Sequence, residues 1–185
     1  MQLEADRVLL RDFRGDDVTE LQRYHADPDF LEFYAPDVAT PEHAKQLVEL
    51  FVRTARAQPR LDFSLAVVDR GSAQLIGCCS LRTAGQDPGK AQFGLELAPK
   101  FWGRGLAAES ARELLAFGFE TLQLDEIRAE SVTANERVQK LVAKLGFSKI
   151  GERAGAAWMA ERGWTHSMWS LTKAAFTGFR VNSTS

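Results

Sequence analysis

A glycine-rich turn between a predicted strand and a predicted helix constrains the fold of this chain more than any other feature. The turn is the run PKFWGRGLAA, residues 99–108, after the apolar strand pattern Ala91–Ala98 and before an amphipathic helix pattern over Leu106–Thr121. Glycines let backbone N–H groups approach a ligand, and a helix N-terminus carries about half a positive charge. The pattern therefore predicts a phosphate-binding turn, although a Gly-x-Gly sequence alone is equally compatible with a plain connecting loop.

The other elements predict one mixed α/β domain in the order β-α-α-β-β-β-α-β-α-β-β, because 185 residues form a single core. We expect one central mixed sheet of about seven strands with helices on both faces, a domain over residues 1–176 and a loose tail over 177–185. The predicted strands are Arg7–Phe13, Phe63–Val68, Gln74–Leu81, Ala91–Ala98, Ile127–Val132, Phe147–Arg153 and Trp164–Leu171. Four helices are predicted. The first ends near Tyr24, the second runs from Thr40 to Pro59, and the third and fourth cover Leu106–Thr121 and Asn135–Leu145.

The composition excludes several classes of partner. Hydrophobic residues make up 45% of the chain and the formal net charge is -2, which predicts a soluble protein that binds neither nucleic acid nor an anionic membrane. No apolar run approaches the roughly 18 residues of a membrane span. Cys78 and Cys79 are adjacent in a strand pattern and point to opposite faces, which disfavours a disulfide. We expect a cytoplasmic protein, monomeric or homodimeric.

Three classes of phosphate-binding turn compete for residues 99–108. A nucleoside triphosphate loop needs Gly-Lys followed by Ser or Thr, and Gly105 is followed by Leu106. A dinucleotide fingerprint fits Gly103-x-Gly105-x-x-Ala108, with Glu130 about 20 residues further on. That fingerprint belongs in the first strand-helix turn of a doubly wound sheet, and here two helices and a hairpin precede it. An NAD-binding protein is thus the weakest of the remaining alternatives.

The third class fits the turn and the whole chain. The sequence resembles the GNAT superfamily of acetyl-CoA-dependent N-acetyltransferases, and most of all its RimJ/RimL-type branch of ribosomal-protein N-terminal acetyltransferases. The resemblance extends from Arg7 to about Phe176 and rests on six anchors in the family's order. They are Arg7–Arg11, Leu75–Gly77, Phe93–Leu97, Trp102–Ala107, Asn135 with Lys144–Phe147, and Gly163–Trp164.

The resemblance implies acetyl-CoA as cosubstrate and a primary amine as acceptor, joined by direct attack in a ternary complex. The coenzyme A pyrophosphate would lie on the turn, and the pantetheine arm between the strands Ala91–Ala98 and Ile127–Val132. A backbone N–H near Leu97 or Ala98 would polarise the acetyl carbonyl. The residues expected to bind the cosubstrate are Leu97, Ala98, Trp102, Gly103, Arg104, Gly105, Leu106, Ala107, Ala108 and Asn135.

Glu96 is the predicted catalytic base. Strand alternation places it on one face with the small residues Gly94 and Ala98, which leave room for a ligand. A solvated glutamate at the rim of the sheet is the alternative, and relatives that have Glu here favour the base, acting through water. Asn135 fits the N-cap of a helix. In the family this Asn also contacts cofactor or substrate, so the resemblance implies that Asn135 is a catalytic residue beside Glu96.

The chain departs from the family where a proton donor for the leaving thiolate is expected. Relatives have Tyr seven residues after the Asn or Ser three residues after it, and this chain has Val142 and Val138 there. Three alternatives follow. A water or another hydroxyl replaces the missing Tyr or Ser, or acetyl transfer is slow, or the domain is an acyl-CoA sensor without turnover. His25, His43 and His166 lack metal-ligand spacing, so we predict no metal site and surface or satisfied core positions for them.

The small net charge hides an uneven distribution. Residues 1–37 hold ten acidic and four basic side chains, whereas residues 99–185 hold nine acidic and twelve basic ones. A solvated acidic face explains the first number. The split also favours an anionic cosubstrate at the basic end and a cationic amine, either a protein N-terminus or a small molecule, at the acidic end.

Overall fold

The computed structural model describes residues 1–182, with side chains described through residue 177. The strands are β1 (Gln2–Glu4), β2 (Val8–Asp12), β3 (Asp62–Asp69), β4 (Gln74–Arg82), β5 (Lys90–Leu97), β6 (Glu126–Val132), β7 (Ser148–Ala154) and β8 (Thr165–Thr172). The helices are α1 (Val18–His25), α2 (Pro28–Leu31), α3 (Pro41–Ala55), α4 (Leu106–Ala116), α5 (Glu136–Lys144), α6 (Ala157–Ala160) and α7 (Lys173–Asn182).

All described strands form one sheet in the order β1-β2-β3-β4-β5-β6-β8-β7. Neighbouring strands are antiparallel except β5 and β6, which are parallel. The mixed α/β fold is confirmed, with eight strands instead of about seven. The additional strand is β1, which has three residues and pairs with β2. Only one of its three residues, Leu3, is half-buried. A strand this short has too few alternating apolar positions to be predicted from the sequence.

Helices cover both faces of the sheet, as expected. Glu96 on β5 reaches α1, where it contacts Tyr24 and His25. On the opposite face, Phe63 of β3 packs against Phe117, one residue beyond α4, with ring centroids 5.2 Å apart. Helix α1 thus packs on one face of the central strands, and α4 packs on the other.

The parallel pair β5 and β6 is hydrogen-bonded over only part of its length. Lys90–Phe93 pairs with residues 126–129, while Leu95 and Glu96 remain paired with β4 alone. The strands therefore separate at the C-terminal end of β5. This is the gap expected between the two strands for a ligand.

The boundaries of the predicted helices hold where a capping residue marks them. Thr40 accepts a hydrogen bond from the N–H of His43 and caps α3, with Pro41 in the first turn. At the C-terminus, where a loose tail over 177–185 was expected, α7 continues to Asn182, and residues 183–185 lie outside the described residues. No helix in the described range is long and apolar enough to cross a bilayer.

Candidate active site

The glycine turn leads into α4 through two residues in the left-handed region. Gly103 has φ 74° and Gly105 has φ 79°, and Gly105 is the N-cap of α4. The first bond inside the helix runs from the N–H of Glu109 to the carbonyl of Gly105 at 3.1 Å. The N–H groups of Leu106–Ala108 therefore have no acceptor within the helix, as at any helix N-terminus. A Cβ built on Gly103 would meet nothing within 4 Å, so that side of the turn is open.

An ion pair from the start of the chain braces this turn. Arg7 donates through its backbone N–H and its Nε to the two carboxylate oxygens of Glu109, at 2.6 and 2.7 Å. Its Nη1 donates to the carbonyl of Arg104 at 2.9 Å. The Arg104 carbonyl is thereby held in place. The carboxylate of Glu109, in the first turn of α4, interacts favourably with the positive end of the helix dipole. No local sequence pattern predicts this brace, because Arg7 and Glu109 are 102 residues apart in the chain.

Trp102 connects the turn to β5 and to α5. Its indole Nε1 donates to the carbonyl of Leu97 at 2.8 Å. The guanidinium of Arg137 lies 4.0 Å from the centre of the Trp102 ring, a cation–π contact. The aromatic residue thus fixes the distance between the end of β5 and the glycine turn.

One cavity lies where β5 and β6 separate, and it brings most of the predicted site together. It is bounded by the residues after β5, by α4 and α5, and by α2. The predicted site residues that line it are Glu96, Leu97, Trp102, Gly103, Gly105, Leu106, Ala107, Ala108 and Asn135. Two predicted residues do not line it: Ala98 is buried, and Arg104 is exposed with its guanidinium 5.3 Å from the centre of the Phe101 ring.

Glu96 is held from the α1 side of the sheet. Its Oε1 accepts a hydrogen bond from the Tyr24 hydroxyl at 2.7 Å and lies 3.0 Å from Nε2 of His25. The Glu96 side chain is 20% exposed and lines the cavity, so it is neither a core residue nor a freely solvated one. Of the two positions predicted for His25, surface or satisfied core, the structure gives a core position that is satisfied only in part: Nε2 contacts Glu96, and Nδ1 has no partner among the described residues.

Burial and the negative charge of Glu96 keep the neighbouring groups protonated. Desolvation, and then the charge of Glu96, raise the pKa values of Tyr24 and Tyr34 well above their usual range, and a hydrogen bond to Glu96 contributes to both. The same desolvation and charge raise the pKa of the Cys78 thiol, which is directly opposite Glu96 on β4. The site around Glu96 thus contains two neutral hydroxyls and a neutral thiol at neutral pH.

Only one of the two backbone N–H groups proposed to polarise the acetyl carbonyl, those of Leu97 and Ala98, is available to do so. The N–H of Ala98 donates to the carbonyl of Ile76 at 2.8 Å and is consumed by the β4–β5 ladder. Bonding alternates along an antiparallel pair, so the N–H of Leu97 points away from β4, toward the gap beside β6. The prediction that the N–H of Ala98 polarises the acetyl carbonyl is therefore wrong, because that N–H already donates to Ile76. The N–H of Leu97 faces the cavity side and stays the predicted donor.

The start of α5 supplies the third wall of the cavity. Asn135 caps the helix, its Oδ1 accepting from the N–H of Val138 at 3.1 Å, and the residue belongs to the cavity lining. Val138 also lines the cavity, while Val142 is buried in the core. Neither valine can donate a proton. Among the described lining residues, the one hydroxyl is that of Tyr34.

Charge is distributed unevenly around the cavity. Arg137 and Lys144 on α5 line the cavity, and Arg137 stacks on Trp102 beside the glycine turn, while Asp29 belongs to α2. Phe30 and Phe33 line the same α2 side. The basic side chains of the lining thus come from α5, and the acidic ones, Asp29 and Glu96, come from α2 and β5. In the described residues, no group of three or more side chains is arranged to bind a metal ion.

Comparison with known proteins gives related sequences and folds. A family model described as an acetyltransferase (GNAT) domain matches residues 7–148. An uncharacterized N-acetyltransferase, YoaA, of Bacillus subtilis (strain 168) is 27% identical over 150 residues, which cover 80% of this chain and 84% of that protein. A putative ribosomal N-acetyltransferase, YdaF, of the same organism is 30% identical over 78 residues, 42% of this chain and 43% of that protein.

A solved structure extends the likeness of fold to nearly the whole chain. The ribosomal-protein-S5-alanine acetyltransferase from Vibrio fischeri superposes with a TM-score of 0.78 at 22% identity, over 94% of this chain and 97% of that chain. The expected fold is therefore confirmed.

Proposed function

Because the chain belongs to the acetyltransferase (GNAT) family, with N-acetyltransferases among its relatives, we propose that it transfers the acetyl group of acetyl-CoA to a primary amine beside Glu96. One observation carries this proposal: a single cavity contains both the open N-terminus of α4 and the Glu96 carboxylate. An anion site and a base in one cavity are what direct transfer in a ternary complex requires. The relatives favour this enzyme over an acyl-CoA sensor without turnover.

The residues of the turn fit coenzyme A. The pyrophosphate would be bound by the N–H groups of Leu106–Ala108 at the positive end of α4, where a Cβ on Gly103 would meet nothing within 4 Å. Arg137, which stacks on Trp102 beside the turn, and Lys144, which also lines the cavity, would add positive charge. The hydrogen bond from Arg7 to the Arg104 carbonyl holds the turn in this conformation. When bound, acetyl-CoA supplies the acetyl group as a thioester.

Four groups of the chain then have chemical roles. Glu96 takes a proton from the acceptor amine, directly or through one water, which leaves the nitrogen lone pair free to attack. The N–H of Leu97 stabilises negative charge on the acetyl oxygen. The Asn135 amide holds the acyl end of the cosubstrate at the start of α5. Tyr34 gives a proton to the thiolate in place of Val138 and Val142, because it carries the one hydroxyl among the described residues that line the cavity.

The acceptor is a cationic amine, either the α-amine of a protein N-terminus or a small-molecule amine. At pH 7, removing the proton from an α-amine with a pKa near 7.8 costs about 1 kcal/mol, whereas a lysine-like amine with a pKa near 10.4 costs about 4.6 kcal/mol. A site with one base favours the cheaper deprotonation. Asp29 at the cavity attracts either ammonium group. The relative named as a putative ribosomal N-acetyltransferase also supports a protein amine.

A panel of amines tests this proposal. Purified protein is given acetyl-CoA with peptides of free or blocked N-terminus, with polyamines and with aminosugars, and thiol release is measured. We expect turnover with at least one free primary amine and none with the matched blocked peptide. Release of thiol at the same rate with and without every amine, or no release at all, would contradict an N-acetyltransferase.

A further inference from the structure

His25 occupies a position that its own packing does not explain. The ring is 1% exposed and stacks on Phe30, with centroids 4.8 Å apart and an angle of 17° between the planes. Phe30 stacks in turn on Tyr34 at 4.4 Å and 10°, and the Tyr24 ring meets the edge of the stack. Phenylalanine would fill this aromatic site as well as histidine does. Stacking alone therefore gives no reason for an imidazole.

The polar atoms of the ring show an imbalance. Nε2 lies 3.0 Å from Oε1 of Glu96, whereas Nδ1 is buried with no partner among the described residues. An unpartnered buried nitrogen lowers the stability of the folded state. Because an ionised carboxylate only accepts hydrogen bonds, the contact requires a proton on Nε2. The ring thus offers its donor to Glu96 while its other nitrogen destabilises the fold.

Both donors from α1 converge on the same oxygen of Glu96. The Tyr24 hydroxyl and His25 Nε2 reach Oε1, and neither of these two hydrogen bonds ends on Oε2. The side chain also lines the cavity, where the Tyr34 hydroxyl faces the same carboxylate. Two donors on Oε1 restrict the orientation of the carboxylate, and they leave Oε2 free of both on a side chain that lines the cavity.

We propose that His25 is a positioning residue for the transfer reaction: its Nε2–H anchors Oε1 of Glu96, so that Oε2 meets the proton of the acceptor amine. The inference rests on the proposed role of Glu96 as base. The titratable groups facing the pair are Tyr24 on the same helix, Cys78 on β4, Tyr34 after α2 and His43 on α3, whose ring centre is 6.0 Å from that of His25. Of these, Tyr24 also donates to Oε1, so loss of the Nε2 contact leaves one of the two anchoring hydrogen bonds.

Three variants test the proposal. His25→Phe keeps the aromatic stack and removes the donor, while His25→Gln restores an N–H at a similar distance along the side chain. His43→Phe is the matched control, because His43 neighbours His25 without a hydrogen bond to Glu96. The measurements are kcat, KM for acetyl-CoA, the pH profile of kcat and the thermal unfolding midpoint. The amine is one that the panel shows to be acetylated.

We expect His25→Phe to lower kcat about 10- to 100-fold, with KM for acetyl-CoA changed less than about twofold and an unfolding midpoint that is unchanged or higher. His25→Gln should recover most of kcat, and His43→Phe should match the wild type. A His25→Phe protein with wild-type kcat and pH profile would overturn the proposal. A loss of kcat that follows a lowered unfolding midpoint, unrescued by His25→Gln, would overturn it as well.

A measurement without substrate separates this inference from the proposed function. Proton NMR of the wild type should show an imidazole Nε2–H resonance of His25 that exchanges slowly, and Glu96→Ala should broaden or remove it. Absence of that resonance from the wild type would overturn the anchoring contact, whatever the activity. If the resonance is present and Glu96→Gln keeps full activity, the contact exists but Glu96 is not the base, and the positioning role is overturned together with that part of the proposed function.

Discussion

Replacing Glu96 by glutamine removes the proposed base with little change to its surroundings. The amide oxygen of the new side chain can still accept from the Tyr24 hydroxyl and from His25, so the anchor at Oε1 persists. Only the oxygen on the cavity side is replaced by an NH2 group, which cannot take a proton. We therefore expect an unchanged thermal unfolding midpoint and a pure loss of chemistry.

The size of the loss follows from the acceptor. A positioned base contributes about 10²- to 10⁴-fold, so Glu96→Gln should lower kcat at pH 7 at least about 100-fold. Without a base, only amine that is already deprotonated reacts, and kcat/KM should rise about tenfold per pH unit up to the pKa of the amine. The profile then levels near about pH 7.8 for an α-amine and near about 10.4 for a lysine-like amine.

The assay follows thiol release from acetyl-CoA between about pH 6 and 10.5, a range that spans both amine pKa values, with the amine that the panel identifies. Glu42→Gln serves as a matched control, because Glu42 is an exposed residue in the first turn of α3 and does not line the cavity. A Glu96→Gln protein that keeps the wild-type rate at pH 7 would refute the reasoning. Equal losses in both variants would refute it too.

Three further perturbations have expected outcomes. Gly105→Ala puts a side chain at φ 79° at a cost of about 1–2 kcal/mol, so calorimetry should show weaker acetyl-CoA binding and a lower unfolding midpoint; unchanged affinity would argue against the turn as the anion site. Tyr34→Phe should lower kcat and leave KM for acetyl-CoA unchanged, and an unaltered kcat would remove Tyr34 as proton donor. Hydrogen bonds from Arg128 and then from Ser170 hold the pKa of Glu126 below its usual 4.5, so the ionised carboxylate stabilises the fold above that pH. The urea unfolding midpoint should therefore fall as the pH drops below about 4.5, and it should fall less steeply in Arg128→Met. Equal slopes in the two proteins would contradict the ion pair.

The sequence was sufficient for features whose signal is local. The glycine turn is contained within residues 99–108, so its position before α4 was predictable. The face of Glu96 followed from alternation along β5. The N-cap roles of Thr40 and Asn135 are likewise properties of a few adjacent residues, and both hydrogen bonds are present.

Features that depend on distant partners were missed. Tyr24 and His25 are 72 and 71 residues from Glu96, and Arg7 is 102 residues from Glu109. No periodicity links such positions, because they meet only once the sheet has formed. His25 carried one weak local signal, its place next to Tyr24 at the end of the predicted first helix. It indicates a buried ring without indicating which carboxylate the ring meets.

The central claim is that the glycine turn and Glu96 bind two parts of one reaction in one cavity. A crystal structure of the protein with coenzyme A tests it most directly. We expect the pyrophosphate within hydrogen-bonding distance of the N–H groups of Leu106–Ala108, and the thiol near the N–H of Leu97 on the Glu96 side of the gap between β5 and β6. A pyrophosphate bound away from the α4 N-terminus, or a thiol remote from Glu96, would contradict the claim.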